Sequence, residues 1–333
     1  MESKNARTLE IRYLALGAVA AFLYGSTVFS LLFAMPLQTS LARGGYRAFL
    51  ASLSVALAGT AGWLFWQYRG LPLGGPGGFL LMLSLPIGLA GAMALVNADF
   101  LAAWPLVYRV MAGSLVISAV AAPSVYSLFA DPEVEAYLLR GIEEVTRTMD
   151  SVGGEGYAGV VLRSTLDPGT MLASARRVIA DGFAAVLFAF TFLGHWIGTR
   201  AAGPDAPGSR KVPALAAFSV PGQLIWAFLG SWSAVLAVRL PILATIRGAS
   251  VLEALVWNAA LVVSFCYAAQ GLGILRHFLE RFAPAGPLRW TGIFLVVLLL
   301  FNLTTGVWTA GALTVLGATE TWIPYRISKG VQA

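Results

Sequence analysis

Eight long apolar runs follow one another along this chain, and short clusters of arginine and lysine separate many of them. A helix needs about 20 apolar residues to cross the hydrocarbon core of a bilayer. Only 11% of the 333 residues are charged, against about 25% in a typical soluble domain, so the chain lacks the polar surface of one. The pattern predicts an all-α fold, a polytopic helical membrane bundle of about eight or nine transmembrane helices. The runs are Tyr13–Met35, Ala48–Gln67, Phe79–Val96, Leu106–Phe129, Ile179–Ile197, Val220–Val238, Leu252–Leu275 and Thr291–Leu316.

The first apolar region, 13–42, can fold in two ways. It can form one long tilted helix, or two short helices in a hairpin that breaks at Gly25-Ser26. Basic residues favour the cytoplasmic side of a membrane, and only the hairpin brings the later basic clusters to the same side as the N-terminus. We therefore expect the hairpin, nine membrane helices and an external C-terminus. The clusters are Arg43/Arg47, Arg109, Arg200/Arg210/Lys211 and Arg276/Arg281/Arg289.

The one sizeable polar stretch, 131–180, interrupts the apolar runs. Its first part places apolar side chains at helical spacing and predicts an amphipathic extramembrane helix on the outer side. A glycine-rich turn follows, and Asp167-Pro168 has the pattern of an N-cap and first-turn proline. We divide the chain into an N-terminal transmembrane segment, 1–130, the insert, 131–180, and a C-terminal transmembrane segment, 181–333. Gly203–Pro213 is predicted to be a flexible linker.

Several classes of function are disfavoured by missing motifs. The sequence contains no Walker A, no GxSxG and no HExxH, and its single cysteine, Cys266, lies in an apolar run without a CxxC partner. We therefore predict no catalytic residues, no metal site and no cofactor. The net charge of +6 is explained by membrane topology, so the expected partner is the lipid bilayer and not nucleic acid.

Gly17, Ala21 and Gly25 form a stripe of small residues at spacing four in the first run. Such a stripe lets another helix approach closely. It either packs inside the protein or forms a docking face for another membrane protein.

A small number of amides and tryptophans lie within the later apolar runs. Buried polar groups in lipid either join helices together or mark a site. The functional alternative predicts a small ligand pocket, whose candidate residues are Trp226, Trp257, Asn258, Gln270, Asn302 and Trp308.

The last third of the sequence resembles the YybS-like bacterial membrane proteins, a family known as a domain of unknown function. The resemblance rests on Val220-Pro221, Trp257-Asn258, Gln270-Gly271 and an ending that places Gly317, Glu320, Trp322 and Arg326 in the family's order. The chain departs from the family by carrying Glu320 where an aspartate is usual. We expect Glu320 or Arg326 to pair with another charged group and Trp322 to lie at the membrane interface.

This resemblance implies a multi-pass protein of the bacterial cytoplasmic (inner) membrane. The family is similar to the substrate-binding S components of energy-coupling-factor transporters, which capture a small molecule and dock on an ATPase module. The favoured expectation is therefore a non-enzymatic protein that binds or transports a small molecule. A non-catalytic scaffold of an envelope complex, as in MreD, is the alternative, and an intramembrane enzyme is a third.

Overall fold

The computed structural model describes residues 2–26, 29–70, 76–153, 167–204, 206, 212–240, 249–282, 286–302 and 304–326. These residues form ten α-helices and three short 3-10 turns, with no β-strand among them. The helices are α1 (Glu2–Gly25), α2 (Ala34–Tyr68), α3 (Pro76–Val96), α4 (Leu106–Ala130), α5 (Pro132–Gly153), α6 (Pro168–Ala202), α7 (Leu224–Val238), α8 (Ala249–Phe282), α9 (Gly286–Phe301) and α10 (Gly306–Thr319).

The chain separates into two compact units, and each is described by itself. Unit 1 contains nearly all of 1–210, and unit 2 contains 211–333 with the short stretch 105–107. The division falls within the predicted linker 203–213, which lies largely outside the described residues, as does the glycine-rich turn predicted after α5. The helical insert therefore belongs to unit 1, together with α6.

Within the described residues, five helices are long and apolar enough to cross a membrane. They are α2, α3, α4, α6 and α8, and they contain five of the eight apolar runs. The all-helical, membrane-compatible fold predicted from the sequence is therefore present. Two further apolar helices, α7 and α10, have 15 and 14 residues, which gives about 21–23 Å at 1.5 Å per residue.

The start of unit 1 has the hairpin and not a single long helix. Helix α1 ends at Gly25, where the Ser26 hydroxyl donates to the carbonyl of Leu23 and accepts from the amide of Phe29. These local bonds compete with the helical ladder. The chain then reverses into the first part of α2, residues 34–44, and at Gly45 it turns again.

The second part of α2, residues 46–68, runs parallel to α1. The carbonyl of Tyr13 accepts a hydrogen bond from Ser52, and further along the same two helices Ala21 lies beside Gly59 and Gly25 beside Trp63. Helix α1 and residues 46–68 thus run in the same direction, and residues 34–44, which connect them in sequence, run in the opposite direction. The segment that connects α1 to 46–68 is therefore a half-length helix of eleven residues, about 16 Å long.

Gly45 makes the second reversal sterically feasible, because its φ of 67° and ψ of −163° fall outside the regions that side chains tolerate. We expect Gly45→Ala to destabilise the protein by about 1–3 kcal/mol, although a Cβ there would meet no atom within 4 Å. Gly62→Ala is the matched control, since Gly62 also has open space but is helical. Melting temperatures in detergent compare the two, and an equal response would contradict a conformational role for Gly45.

One end of unit 1, which we call the arginine end, contains Arg43, Arg47, Arg109 and Arg200. Arg43 donates to the carbonyls of Ala201 and Ala202 at the end of α6, and Arg109 donates to the carbonyl of Val96 at the end of α3. Cations are favourable at helix C-termini because unpaired carbonyls concentrate there. The opposite end, which we call the cavity end, contains the end of α1, the end of α2 and the start of α3.

Helix α5 has the predicted amphipathic character and lies at the cavity end. Its acidic Glu135 pairs with Arg176 of α6 at 3.2 Å, and Arg176 also donates to the carbonyl of Phe129 at the end of α4. Asp167 caps α6 as predicted, accepting from the amide of Thr170 at 2.8 Å. The hydrogen bonds from Thr170 lower the pKa of Asp167, so this cap is retained at neutral pH and is lost as the pH falls through that lowered value.

One membrane span predicted in unit 2 is wrong. The run Thr291–Leu316 is not one helix, because α9 ends at Phe301 and α10 begins at Gly306. The Asn302 side chain accepts from the amides of Thr304 and Thr305, which is an Asx turn that closes the chain locally. The run at Val220–Val238 also begins later than predicted, at Leu224.

Candidate functional site

A cavity of about 350 Å³ lies at the cavity end of unit 1, between α1, α2, α3, α4 and α6. Its walls combine aromatic rings with aliphatic side chains, a few hydroxyl groups and one amide. Volumes of about 300–1,000 Å³ are typical of small-molecule sites. The lining residues are Tyr24, Gly25, Ser30, Trp63, Leu64, Gln67, Tyr68, Leu81, Met82, Ser84, Leu85, Leu89, Ala121, Ser124, Val125, Phe183 and Phe190.

The cavity extends from an exposed rim to a buried floor. Trp63 is 49% exposed and Gln67 is also exposed, whereas Leu89 and Ala121 are each only 1% exposed. Gln67 follows Trp63 by one turn toward the end of α2, and Ser124 follows Ala121 by one turn along α4. Polar groups are thus concentrated toward the rim and apolar groups toward the floor.

The helices hold the cavity in shape through contacts between its lining residues and the rest of unit 1. The Tyr24 ring meets Phe33 edge-on at 5.4 Å, and its hydroxyl donates to the carbonyl of Met82 at 3.4 Å. Below the floor, Leu89 joins a packed core with Phe33, Leu37 and Met93. This core separates the cavity from the arginine end.

A buried polar cluster lies beyond that core, near the arginine end. Gln38 and Asn97 exchange two amide hydrogen bonds of 3.2 and 2.8 Å, and Gln38 also donates to Thr199 at 2.9 Å. Thr39 donates to the carbonyl of Gly198. These bonds tie the half-helix 34–44 to α3 and α6, and they satisfy polar groups that would be costly to bury unpaired.

The small-residue stripe predicted as internal packing or docking faces α2 of the same chain. A Cβ on Gly17 would overlap the carbonyl oxygen of Ser52, a Cβ on Gly25 would lie 3.1 Å from the Trp63 indole nitrogen, and the Ala21 methyl abuts Gly59. Helix α2 of the same chain fills the groove beside this stripe, so the stripe packs inside the protein. The close contact between the two helices places Trp63 beside Gly25 at the end of α1, where Trp63 lines the cavity.

We expect Ala21→Leu to overpack this contact and destabilise the protein by about 1–3 kcal/mol. Ala18→Leu is the control, because Ala18 is exposed on the same helix. Melting temperature in detergent and recovery of monodisperse protein are the measurements. If Ala21→Leu melted at the wild-type temperature, the stripe would not pack inside the protein and the docking alternative would be favoured.

A second organised site lies in unit 2, and we call it the C-terminal node. Arg326 and Glu320 form a bidentate ion pair: Nε donates to Oε1 at 2.6 Å, and Nη2 donates to Oε2. Arg326 Nη1 also donates to the carbonyls of Ala216 and Phe218, at 2.8 and 2.9 Å. The two charged side chains are only 13% and 10% exposed.

Gln270 of α8 completes the C-terminal node. Its amide nitrogen donates to Glu320 Oε2 at 2.9 Å and to the carbonyl of Gly317 at 3.0 Å, while its oxygen accepts from the amide of Val220 at 2.6 Å. Of the residues that carried the resemblance, Val220, Gln270, Gly317, Glu320 and Arg326 meet at this node. Trp257 and Asn258 have contacts elsewhere on α8, and Trp322 is 63% exposed. The expectation that Glu320 or Arg326 pairs with a charged group is met by their pairing with each other.

The six candidate ligand residues lie in unit 2 and have different surroundings there. Trp226 and Trp308 are 75% and 79% exposed, Asn258 donates to the carbonyl of Ala254 within α8, and Asn302 forms the Asx turn. Trp257 packs edge-on against Trp232, and Gln270 belongs to the C-terminal node. Asn258 and Asn302 thus bond to backbone of their own segments, and Gln270 joins α8 to two other segments, which is the structural alternative for such groups.

Sequence reasoning missed the cavity in unit 1. Its lining comes from five helices spread over 24–190, and most of these residues are ordinary leucines, serines and aromatics in apolar runs. The clustering of Trp63, Gln67 and Tyr68 at one helix end was the available signal, although such aromatics also mark membrane interfaces. Among the described residues, no group of His, Cys, Asp and Glu could hold a metal ion. No family model, curated protein or solved structure matches the chain.

Proposed function

We propose that this chain is a membrane protein that binds a small molecule in the cavity of unit 1. The cavity is the observation that carries the proposal, because a purely structural bundle gains dispersion energy by filling such a space. An aromatic wall with a few polar groups at the rim is typical of small-molecule sites. The scaffold alternative predicts a filled bundle at this position.

The basic residues give the proposed orientation. Arg43, Arg47, Arg109 and Arg200 lie at the arginine end, whereas the acidic helix α5 lies at the cavity end. Basic residues favour the cytoplasmic side, so the cavity opens to the outside. Capture of a small molecule from outside is what the resemblance to S components implies, in a bacterial cytoplasmic membrane, with docking on an ATPase module as the further expectation.

Side-specific labelling tests this orientation. In a Cys266→Ala background, we expect Glu133→Cys to react with a membrane-impermeant maleimide on intact cells, because Glu133 is exposed at the start of α5. Arg47→Cys should react only after the cells are opened. The opposite pattern would place the cavity on the cytoplasmic side.

A native mass spectrum of the gently purified full chain tests binding itself. We expect a bound small molecule on the wild type and its loss from Ser124→Phe, since Phe would occupy space between α4 and the other cavity walls. Ser127→Phe is the matched control, because Ser127 is exposed one turn further along the same helix. The same adducts on all three proteins, or adducts on none, would contradict the proposed function.

A further inference from the structure

From the lining of the unit 1 cavity we infer that its ligand is an uncharged molecule of about two rings, held with its apolar part on the floor and a hydroxyl or carbonyl group at the rim. This inference rests on the proposed function and names the chemical class of ligand for that site. The charge of the walls, the volume and the unused polar groups carry it, in that order.

None of the described lining residues can carry a charge at neutral pH. They include no Asp, Glu, Lys, Arg or His. A charged ligand would lose its hydration without gaining a partner of opposite charge, which is costly in an apolar site. An uncharged ligand avoids that penalty.

The size and shape of the cavity set the second limit. A cavity of about 150 Å³ lined by apolar side chains holds one benzene, so 350 Å³ accommodates about two rings. Trp63 and Phe183 line the cavity from α2 and α6, and Phe190 and Leu89 line its deeper part. Aromatic side chains interact favourably with the rings of a ligand.

Unused polar groups at the rim set the third limit. The side chains of Gln67 and Ser124 have no hydrogen-bond partner within the described part of the chain, whereas Tyr24 and Ser84 donate to backbone carbonyls. An amide offers both a donor and an acceptor, and a hydroxyl does the same. One ligand hydroxyl or carbonyl at the rim can therefore pair without competing with the fold.

Three probes of similar size and different charge test the inference: 2-naphthol, 2-naphthoate and 2-naphthylmethylammonium at pH 7.5. Retention of each probe by the full chain in nanodiscs is measured by equilibrium dialysis on wild type, Ser124→Phe and Ser127→Phe. Subtracting the Ser124→Phe value removes partitioning into lipid. We expect 2-naphthol alone to show specific retention, at least about tenfold tighter than either charged probe, on wild type and Ser127→Phe alike.

The controls separate this inference from the proposed function. If Ser124→Phe fails to fold, as judged by its melting temperature, Ser84→Leu on α3 fills the cavity from another wall. Specific retention of a charged probe as tight as that of 2-naphthol overturns the inference but supports binding in the cavity. Equal retention of every probe by every variant overturns the inference as well. In that case, a native mass spectrum whose adduct disappears in Ser124→Phe preserves the proposed function, and one without such an adduct removes it.

Discussion

Arg326→Ala is expected to destabilise the protein by about 3–5 kcal/mol, because removing one partner of a buried ion pair leaves the other charge unpaired. Glu320 would keep only its bond from Gln270, and the carbonyls of Ala216 and Phe218 would lose their shared donor. Arg326 joins the segment before α7 to Glu320 at the end of α10, and Glu320 connects both to Gln270 of α8. Melting temperature in detergent and the yield of monodisperse protein report the loss.

Arg276→Ala is the matched control for that prediction. Arg276 pairs with Glu280 at 2.8 Å on the surface of α8, with side chains 32% and 36% exposed. Exposed i,i+4 pairs contribute only about 0.3–0.5 kcal/mol, so this variant should melt close to the wild type. If Arg326→Ala and Arg276→Ala melted alike, the C-terminal node would not anchor the last helix.

Gly317→Ala should destabilise unit 2 strongly, although it adds only one methyl group. A Cβ at Gly317 would overlap the carbonyl oxygen of Tyr267 on α8, and a Cβ at Gly271 would overlap the carbonyl oxygen of Leu313 on α10. Two glycines thus let the two backbones touch, as in close helix pairs in membranes. Because backbone atoms cannot swing away as side chains do, we expect a cost of at least about 1–3 kcal/mol.

Gly311→Ala controls for helix propensity in that experiment. Gly311 lies on the same helix as Gly317, and a Cβ there meets nothing within 4 Å. Alanine favours a helix over glycine by about 1 kcal/mol, so Gly311→Ala should be neutral or slightly stabilising. A Gly317→Ala protein with the melting temperature of Gly311→Ala would show that α8 and α10 do not depend on this close approach.

The sequence predicted the helical membrane-type fold and the first hairpin, because both follow from one-dimensional patterns. Apolar run length indicates helices, and the distribution of arginine together with Gly25-Ser26 indicated the reversal. The kink at Gly45 could have been suspected from Gly44-Gly45, but two glycines alone do not give a conformation. The break at Asn302 was missed because its two polar neighbours, Thr304 and Thr305, hardly lower the average hydropathy of the run.

The two sites differ in how far sequence could predict them. For the C-terminal node, the resemblance singled out Gln270, Gly317, Glu320 and Arg326, and a charged partner was expected for Glu320 or Arg326. The sequence did not predict that Gln270, a candidate ligand residue, joins them. Which partner each one takes depends on the close approach of α8 and α10. The cavity could not be predicted, because a void is a property of how five helices pack and none of its lining residues is unusual by itself.

The central claim is that the cavity of unit 1 contains a bound molecule in the working protein. An experimental density map of the full chain, purified in lipid nanodiscs without added ligand, tests it most directly. We expect density of about two rings between Trp63, Phe183 and Phe190, with a polar contact at Gln67 or Ser124. Side chains that close the space, or a lipid tail that enters from the side and continues into the bilayer, would contradict the claim.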